Sequence, residues 1–473
     1  MGGQDNHDLI VIGAGPGGYV ASVRAAQLGF KVACVEKDPH PGGVCLNVGC
    51  IPSKALLDST EYYHLVKERL AEHGIQTGEA TFDLGAMMSR KEQVVRELTE
   101  SVRNLLEGNG VEIVRGVGRL ASEDTVEVMA GEKSRSAIRK LRAGKILLAA
   151  GSEPISIPSL PFDGVHIITS TEALALDTVP GHLGIVGGGY IGLELGSVWR
   201  RLGAQVTVIE MLPRIASTLD AQVGRALERA LGKQGFSFHF KTKVTEAHVE
   251  GGEVRLTLDS EGQEKTMTCD RLLVAVGRRP LTRGLGLEEL GMKLTQQTRK
   301  IWVDGQYRTS IPSIYAIGDL IDGPMLAHKA SAEGIAAVEC MAGLPGEVNY
   351  DAIPAVVYTS PEVAGVGLTE EEVKSRGVEY RVGTFPFAGN SRARSLGEKE
   401  GFAKVIAHAK TDRLLGVHVI GPRASELIAE CVVAIEFNAK SADIARVVHG
   451  HPTLSETLHE AAMAARKSSL RGS

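Results

Sequence analysis

The chain has 473 residues, of which 43 % are hydrophobic and 23 % charged, and its formal charge is −5. At roughly 100–200 residues per domain there is room for several domains. The mild negative charge excludes a protein that coats nucleic acid, and no apolar run approaches the ~18–20 residues that span a membrane.

The first element is "DLIVIGAGPGGYVASVRAAQLGFKVACVEK". A buried-strand run starts at about Asp8, and Gly13, Gly15 and Gly18 then form a GxGxxG turn. A helical stretch follows, and a second strand ends at Glu36. The first glycine permits a tight turn and the second lets backbone approach a pyrophosphate. The third lets helix pack on strand, and the acid accepts hydrogen bonds from a ribose. Asp5 and Asp8 stand where a signal peptide would be cationic, so a cytoplasmic protein is expected.

Next comes "GGVCLNVGCIPSK", with Cys45 and Cys50 five positions apart. Three uses are open: a metal site, a structural staple or redox chemistry. Zinc usually takes four ligands in two pairs, and there is no second pair nearby. Six cysteines in this length do not make a disulfide framework, which leaves redox chemistry favoured. Pro52 suits the first turn of a helix, so Cys50 is expected just before a helix N-terminus, where the dipole stabilises a thiolate. Lys54, one turn in, adds positive charge. Helical periodicity then runs from about 55 to 108.

The strand in "KILLAAGSEP" closes this first unit. The plan repeats in "HLGIVGGGYIGLELGSVWRRLGAQVTVIEM", with Gly187, Gly189, Gly192 and Glu210, and in both copies the acid lies 23 residues after the first glycine. Two such sites imply two dinucleotides. Glu210 favours NAD over NADP, because a carboxylate repels a 2′-phosphate. Arg214 stands close by and reads as a solvated surface arginine. "DRLLVAVGRRP" closes the second unit as the first was closed. A strand at 314–317 then ends in Gly318-Asp319, an acid placed either to face a ligand or to make an Asx turn.

From about residue 351 the pattern becomes strands and helices with no further GxGxxG, which predicts a separate α+β domain. Near its end, "VVHGHPTLSETLHEAA" holds His449, His451, Glu456 and His459. His451 with Glu456 can form an oriented acid/base, which a dithiol substrate needs in order to become a nucleophile. Thr453 with Glu456 equally resembles a capping box at a helix starting near Thr453. His449 and His459 read as structural or exposed.

Taken together, "GGVCLNVGCIPSKALL", "GGGYIGLELGSVW", "YAIGDL", "MLAHKASAEG", "VVYTSPEVAGVGLTE" and "HPTLSE" make the sequence resemble the pyridine nucleotide–disulfide oxidoreductases from about residue 6 to 465. The resemblance implies an α/β fold with two Rossmann-like dinucleotide-binding domains and a C-terminal α+β dimerisation domain. The expected boundaries are 1–153 for FAD, 154–277 for NAD, 278–350 completing the FAD site and 351–473 for the dimer interface. It implies a homodimer with FAD in the first site and NAD in the second. Cys45 would exchange with substrate and Cys50 would face the flavin. His451 and Glu456 would serve the cysteines of the other subunit. Lys54 would lie near the flavin and pair with Glu194. Glu36 and Asp319 would hold FAD through the ribose and the pyrophosphate–ribityl region, with Gly118, Ala327 and His328 lining the cofactor. Val244 and Gly277 join the NAD site. The implied substrate is dihydrolipoamide on a lipoyl-bearing carrier, of the 2-oxo acid dehydrogenase or glycine cleavage kind.

Two departures stand out: Ala150 replaces an expected threonine, and "HG" precedes His451 where alanine is usual. Rivals on the same fold are a NAD(P)H-dependent reductase of another disulfide and, without catalysis, a flavoprotein that scaffolds a complex. The run "RKSSLRGS" carries no cysteine, unlike the C-termini expected of mercuric and large thioredoxin reductases.

Overall fold

The computed structural model describes residues 5–134 and 136–467, so the end of the cysteine-free C-terminal run lies outside the described residues. The chain divides into two compact units. One comprises 1–55, 85–155 and 277–348; the other comprises 56–84, 156–276 and 349–473.

In the first unit, β1 (Asp5–Ile12) lies between β2 (Val32–Glu36) and the strand Ala137–Leu148, parallel to both. Glu112–Arg115 extends the sheet beyond β2, and Ile314–Ala316 pairs in parallel with Ala137–Leu148. Leu9, Ile10 and Val11 are fully buried, as an unbroken apolar run in a parallel sheet requires. β1 begins at Asp5 rather than near Asp8, because Asp5–His7 pair with Leu141–Ala143.

The helix α1 (Pro16–Gln27) starts with proline in its first turn and buries Gly17, Gly18, Ala21 and Ala25. These small residues allow close packing: a Cβ on Gly17 would lie 3.0 Å from the Ala330 carbonyl in the helix Ala327–Met341. The echoing runs "GSEP" and "GRRP" are partners, since Ser152–Pro154 and Arg278–Pro280 pair antiparallel.

In the second unit, five parallel strands repeat the plan, with His182–Val186 between Gln205–Ile209 and Arg271–Val274. Three antiparallel strands from Thr242 to Cys269 form a separate sheet. The C-terminal part is a five-stranded antiparallel sheet spanning Ala355–Gly421, whose apolar residues share a core with the helices Ala424–Glu436 and Glu456–Ala465.

The helical run expected over 55–108 is interrupted. A helix, α3 (Cys50–His64), continues as one π turn and one 3-10 turn and stops at Gly74, which is left-handed at φ 73°. Helix resumes over Leu84–Gly108.

Candidate active site

The two glycine loops share one construction. Gly13 and Gly187 both have φ 104°, and a Cβ on either would strike the backbone of the neighbouring strand end, at Ala149 and Ala275. A Cβ on Gly18 or Gly192 would strike the carbonyl of that first glycine. The second glycines differ from these. A Cβ on Gly15 would meet only Gly43, at 3.9 Å, and one on Gly189 would meet nothing within 4 Å. The first and third glycines therefore serve packing, and the second faces open space at a helix start.

Each acid braces its own loop. Glu36 accepts from Ala14 N–H at 2.7 Å and Asp38 N–H at 2.9 Å. Glu210 accepts from Gly188 N–H at 2.7 Å and Leu212 N–H at 2.8 Å. Burial raises the Glu36 carboxyl above its ordinary value, and the hydrogen bonds from Asp38 and Ala14 oppose that rise. Arg214 is half-buried at the surface. Its guanidinium donates to the Leu219 and Ser217 carbonyls at 2.9 and 2.8 Å, which shapes the loop after Glu210.

The segment that carries the cysteines packs on the first loop. Gly42 N–H donates to Ala14 O at 2.7 Å, and a Cβ on Gly43 would lie 2.7 Å from Gly15 Cα. Cys45 sits in the short helix α2 (Gly43–Val48), and Cys50 is the first residue of α3 rather than the residue before it. Both are in the thiol form, Cys45 half-buried and Cys50 exposed. A hydrogen bond to Cys50, then burial, push the Cys45 thiol far above its usual range, while Lys54 pulls the other way. Tyr19 also faces the pair: burial raises its phenol and the charge of Cys45 adds to this.

Arg278 escaped the sequence reading. It donates to Ser152 Oγ at 2.7 Å and Ser152 O at 2.6 Å, and Ser152 Oγ donates to Asp319 Oδ2 at 2.5 Å. Burial lowers the guanidinium from its ordinary value, and the charges of Asp319, Cys50 and Glu153 oppose that. The only sequence signal was a basic residue directly after Gly277 in a strand-end run. Asp319 itself lies in a 3-10 turn, because the preceding strand stops at Ala316.

Ala327 and His328 open the helix Ala327–Met341, whose N-cap Leu326 supplies no side-chain cap. Gly118 is buried in the first sheet, where a Cβ would lie 3.0 Å from Ile12. Gly277, at φ 118°, accepts from Ile155 N–H at 3.1 Å. Val244 is a buried core residue beside a β-bulge. Glu194 is buried and accepts from Tyr358 N–H at 3.0 Å.

His451 and Glu456 do come together. His451 Nδ1 lies 3.0 Å from Glu456 Oε1, with the imidazole 61 % exposed. Glu456 also accepts from Thr453 N–H at 2.9 Å. Only half of the capping box forms: Glu456 takes the Thr453 N–H, but Thr453 Oγ1 donates to Gly450 O and the helix starts at Glu456. His449 reaches Glu430 at 3.5 Å and stacks edge-on with His459 at 5.2 Å.

Two dinucleotide loops, one of them packed against a touching cysteine pair, define an oxidoreductase working between a dithiol and a pyridine nucleotide. The comparisons agree. Residues 7–334 match the pyridine nucleotide-disulphide oxidoreductase model and residues 353–462 match its dimerisation domain. The chain belongs to the pyridine nucleotide-disulphide oxidoreductase family. It is 48 % identical to a mitochondrial dihydrolipoyl dehydrogenase of Pisum sativum, over 98 % of this chain and 92 % of the relative. A leghemoglobin reductase of Vigna unguiculata is also 48 % identical, over 98 % and 88 %. The solved structure of LpdA from Mycobacterium tuberculosis has a TM-score of 0.88 at 28 % identity, covering 97 % and 99 %. Membership makes the chain an FAD- and NAD-dependent oxidoreductase. No helix among the described residues is long and apolar enough to cross a membrane.

Proposed function

We propose that the chain is a dihydrolipoyl dehydrogenase, reoxidising dihydrolipoamide on lipoyl-bearing carrier proteins with NAD⁺. The carriers would be those of 2-oxo acid dehydrogenase or glycine cleavage systems. The observation that carries this reading is the Cys45–Cys50 pair at the head of α3, packed against the first glycine loop.

FAD fits the first site. Gly15 leaves the pyrophosphate its space while Gly13 and Gly18 close the turn beneath it, Glu36 and Asp319 supply acceptors, and the helix start at Ala327 and His328 supplies donors. When bound, FAD carries the electron pair between the cysteines and NAD⁺. NAD⁺ takes the second site, with Glu210 toward its ribose and Glu194 and Lys54 assigned to the flavin's reactive edge. Residues 1–153 and 278–350 build the FAD part, 154–277 the NAD part and 351–473 the dimer interface. The joining of 277–348 with N-terminal segments in one compact unit supports the FAD part, whereas 156–276 and 349–473 share the other unit.

In the homodimer, His451 of one subunit serves the cysteines of the other. Glu456 engages Nδ1, so Nε2 is the atom that takes a proton from a substrate thiol. The resulting thiolate attacks Cys45 Sγ of the oxidised pair. The S–S bond breaks and Cys50 leaves as a thiolate. The second substrate thiol then displaces Cys45, releasing lipoamide and leaving both electrons on the enzyme dithiol. Several relatives are named as mitochondrial proteins.

The test pairs two assays. His451→Ala should lower dihydrolipoamide oxidation by about 10²–10⁴-fold while sparing NADH-to-dye electron transfer. Equal loss of both removes His451 from the thiol step. A wild-type protein whose flavin is reduced by NADH but never by dihydrolipoamide points to another disulfide substrate.

A further inference from the structure

Asp319 sits in a single 3-10 turn, Gly318–Leu320, and Gly318 is left-handed at φ 69°. Within the turn, the Ile321 N–H reaches Gly318 O only at 3.3 Å. The stronger grip comes from the helix Ala327–Met341. Lys329 Nζ donates to Gly318 O at 3.0 Å, and Glu333 Oε2 accepts from Gly318 N–H at 2.8 Å. The two side chains pair with each other at 3.0 Å, one helical turn apart. Lys329 is 1 % exposed and Glu333 0 %. The lysine stem is wedged under the same loop, since a Cβ on Gly323 would lie 2.8 Å from Lys329 Cε.

A buried ion pair is a weak source of stability, because desolvation offsets most of the attraction and an apolar pair of similar volume does as well. Stability alone therefore does not account for this pair. Its geometry does one specific thing: it holds both backbone polar groups of the residue before Asp319. Ser152 holds the Asp319 carboxylate from the other side.

We propose that Lys329 and Glu333 are positioning residues of the flavin site, clamping the Gly318 backbone so that the Asp319 carboxylate is aimed at the cofactor's ribityl–pyrophosphate arm. This rests on FAD occupying the first site.

The test measures FAD dissociation from apoprotein by flavin fluorescence, with circular dichroism on the same samples. Lys329→Met with Glu333→Leu removes the clamp and keeps the volume. Lys329→Gln with Glu333→Gln keeps a donor for the carbonyl and an acceptor for the N–H without charge. The Met/Leu pair should weaken FAD by about 10–100-fold, and the Gln/Gln pair by under about threefold. Adding Asp319→Asn to the Met/Leu pair should weaken FAD no further than Asp319→Asn alone, since the clamp acts through that carboxylate. FAD affinity unchanged in the Met/Leu pair, or losses that simply add, overturn the proposal. If the Met/Leu pair does not fold, Lys329→Met with Glu333→Gln decides against the Gln/Gln pair. It must bind FAD about tenfold more weakly, and equal affinities overturn the clamp. Wild-type apoprotein that takes up no FAD at all fails the reading of the first site instead, a separate result.

Discussion

The two glycine loops begin alike and end differently. Up to the acid, each has a left-handed first glycine, an open second glycine and a carboxylate braced to the loop. After Glu36 the chain enters the cysteine helices, and Gly43 packs on Gly15. After Glu210 it folds back: Ala216 N–H donates to Gly188 O at 2.8 Å and Arg214 pins the loop. The fingerprint therefore specifies a dinucleotide, and the segment after the acid specifies what chemistry meets it.

The sharpest way to break this comparison is a methyl group. Gly18→Ala places Cβ nearer to the Gly13 carbonyl than Gly192→Ala does to that of Gly187. Gly18→Ala should yield protein without flavin. Gly192→Ala should stay yellow and lose about 10–100-fold in NAD⁺ reduction, the scale of overpacking strain. Visible spectra and NAD⁺ turnover check both, and a colourless Gly192→Ala would contradict the assignment of sites.

The next effect lies beyond the second loop. Asp220 caps the helix Ala221–Lys233 and pairs with buried Lys404 at 2.7 Å, and Lys404 also holds Glu370 at 2.7 Å. Removing one partner from a buried pair costs about 3–5 kcal/mol, so Lys404→Met should show that loss in urea unfolding. Burial would raise the Glu370 carboxyl, but Lys374, Lys404 and Tyr380 bring it from 4.5 down to about 2. Asp220 is lowered as well, against its own burial, chiefly through Lys404. A depressed folded-state pKa stabilises the fold above the unfolded value, and that stability drains away as pH falls. Unfolding curves should therefore weaken between about pH 4.5 and 2. Lys404→Met should flatten this acid limb, and an unchanged limb would assign it elsewhere.

Smaller effects test the acids. Glu36→Gln turns one acceptor into a donor facing an N–H, and should weaken FAD by about 10–100-fold while NADH binding holds. Glu210→Gln should do the reverse. Smallest of all, Arg214→Ala should cost about 1 kcal/mol of stability and leave the NADH-to-NADPH preference unchanged, because its hydrogen bonds go to carbonyls. A shift toward NADH would make it a nucleotide-reading residue after all.

What the sequence revealed was local. Both fingerprints are contained in about thirty residues, where turn geometry and spacing act together. The cysteine pair was legible for the same reason, although the break at Gly49 that puts each thiol on its own helix was not. His451 and Glu456 were visible as a pair, yet only the structure shows one carboxylate serving both His451 and the Thr453 N–H, while the Thr453 hydroxyl bonds elsewhere. Arg278 and Ser152 are 126 positions apart and meet through strand pairing. Lys329 and Glu333 look like an ordinary exposed helical pair, and only the packing of a distant turn over them explains their burial.

The carboxylate braces have one more consequence. Glu36 and Glu210 fix their loops with the chain's own atoms, so each cradle keeps its shape whether or not a nucleotide lies in it. A guest then arrives at a finished mould, and little conformational freedom is lost at the moment of docking. Cofactor exchange should for that reason proceed without refolding, and an emptied first cradle should refill from dilute FAD.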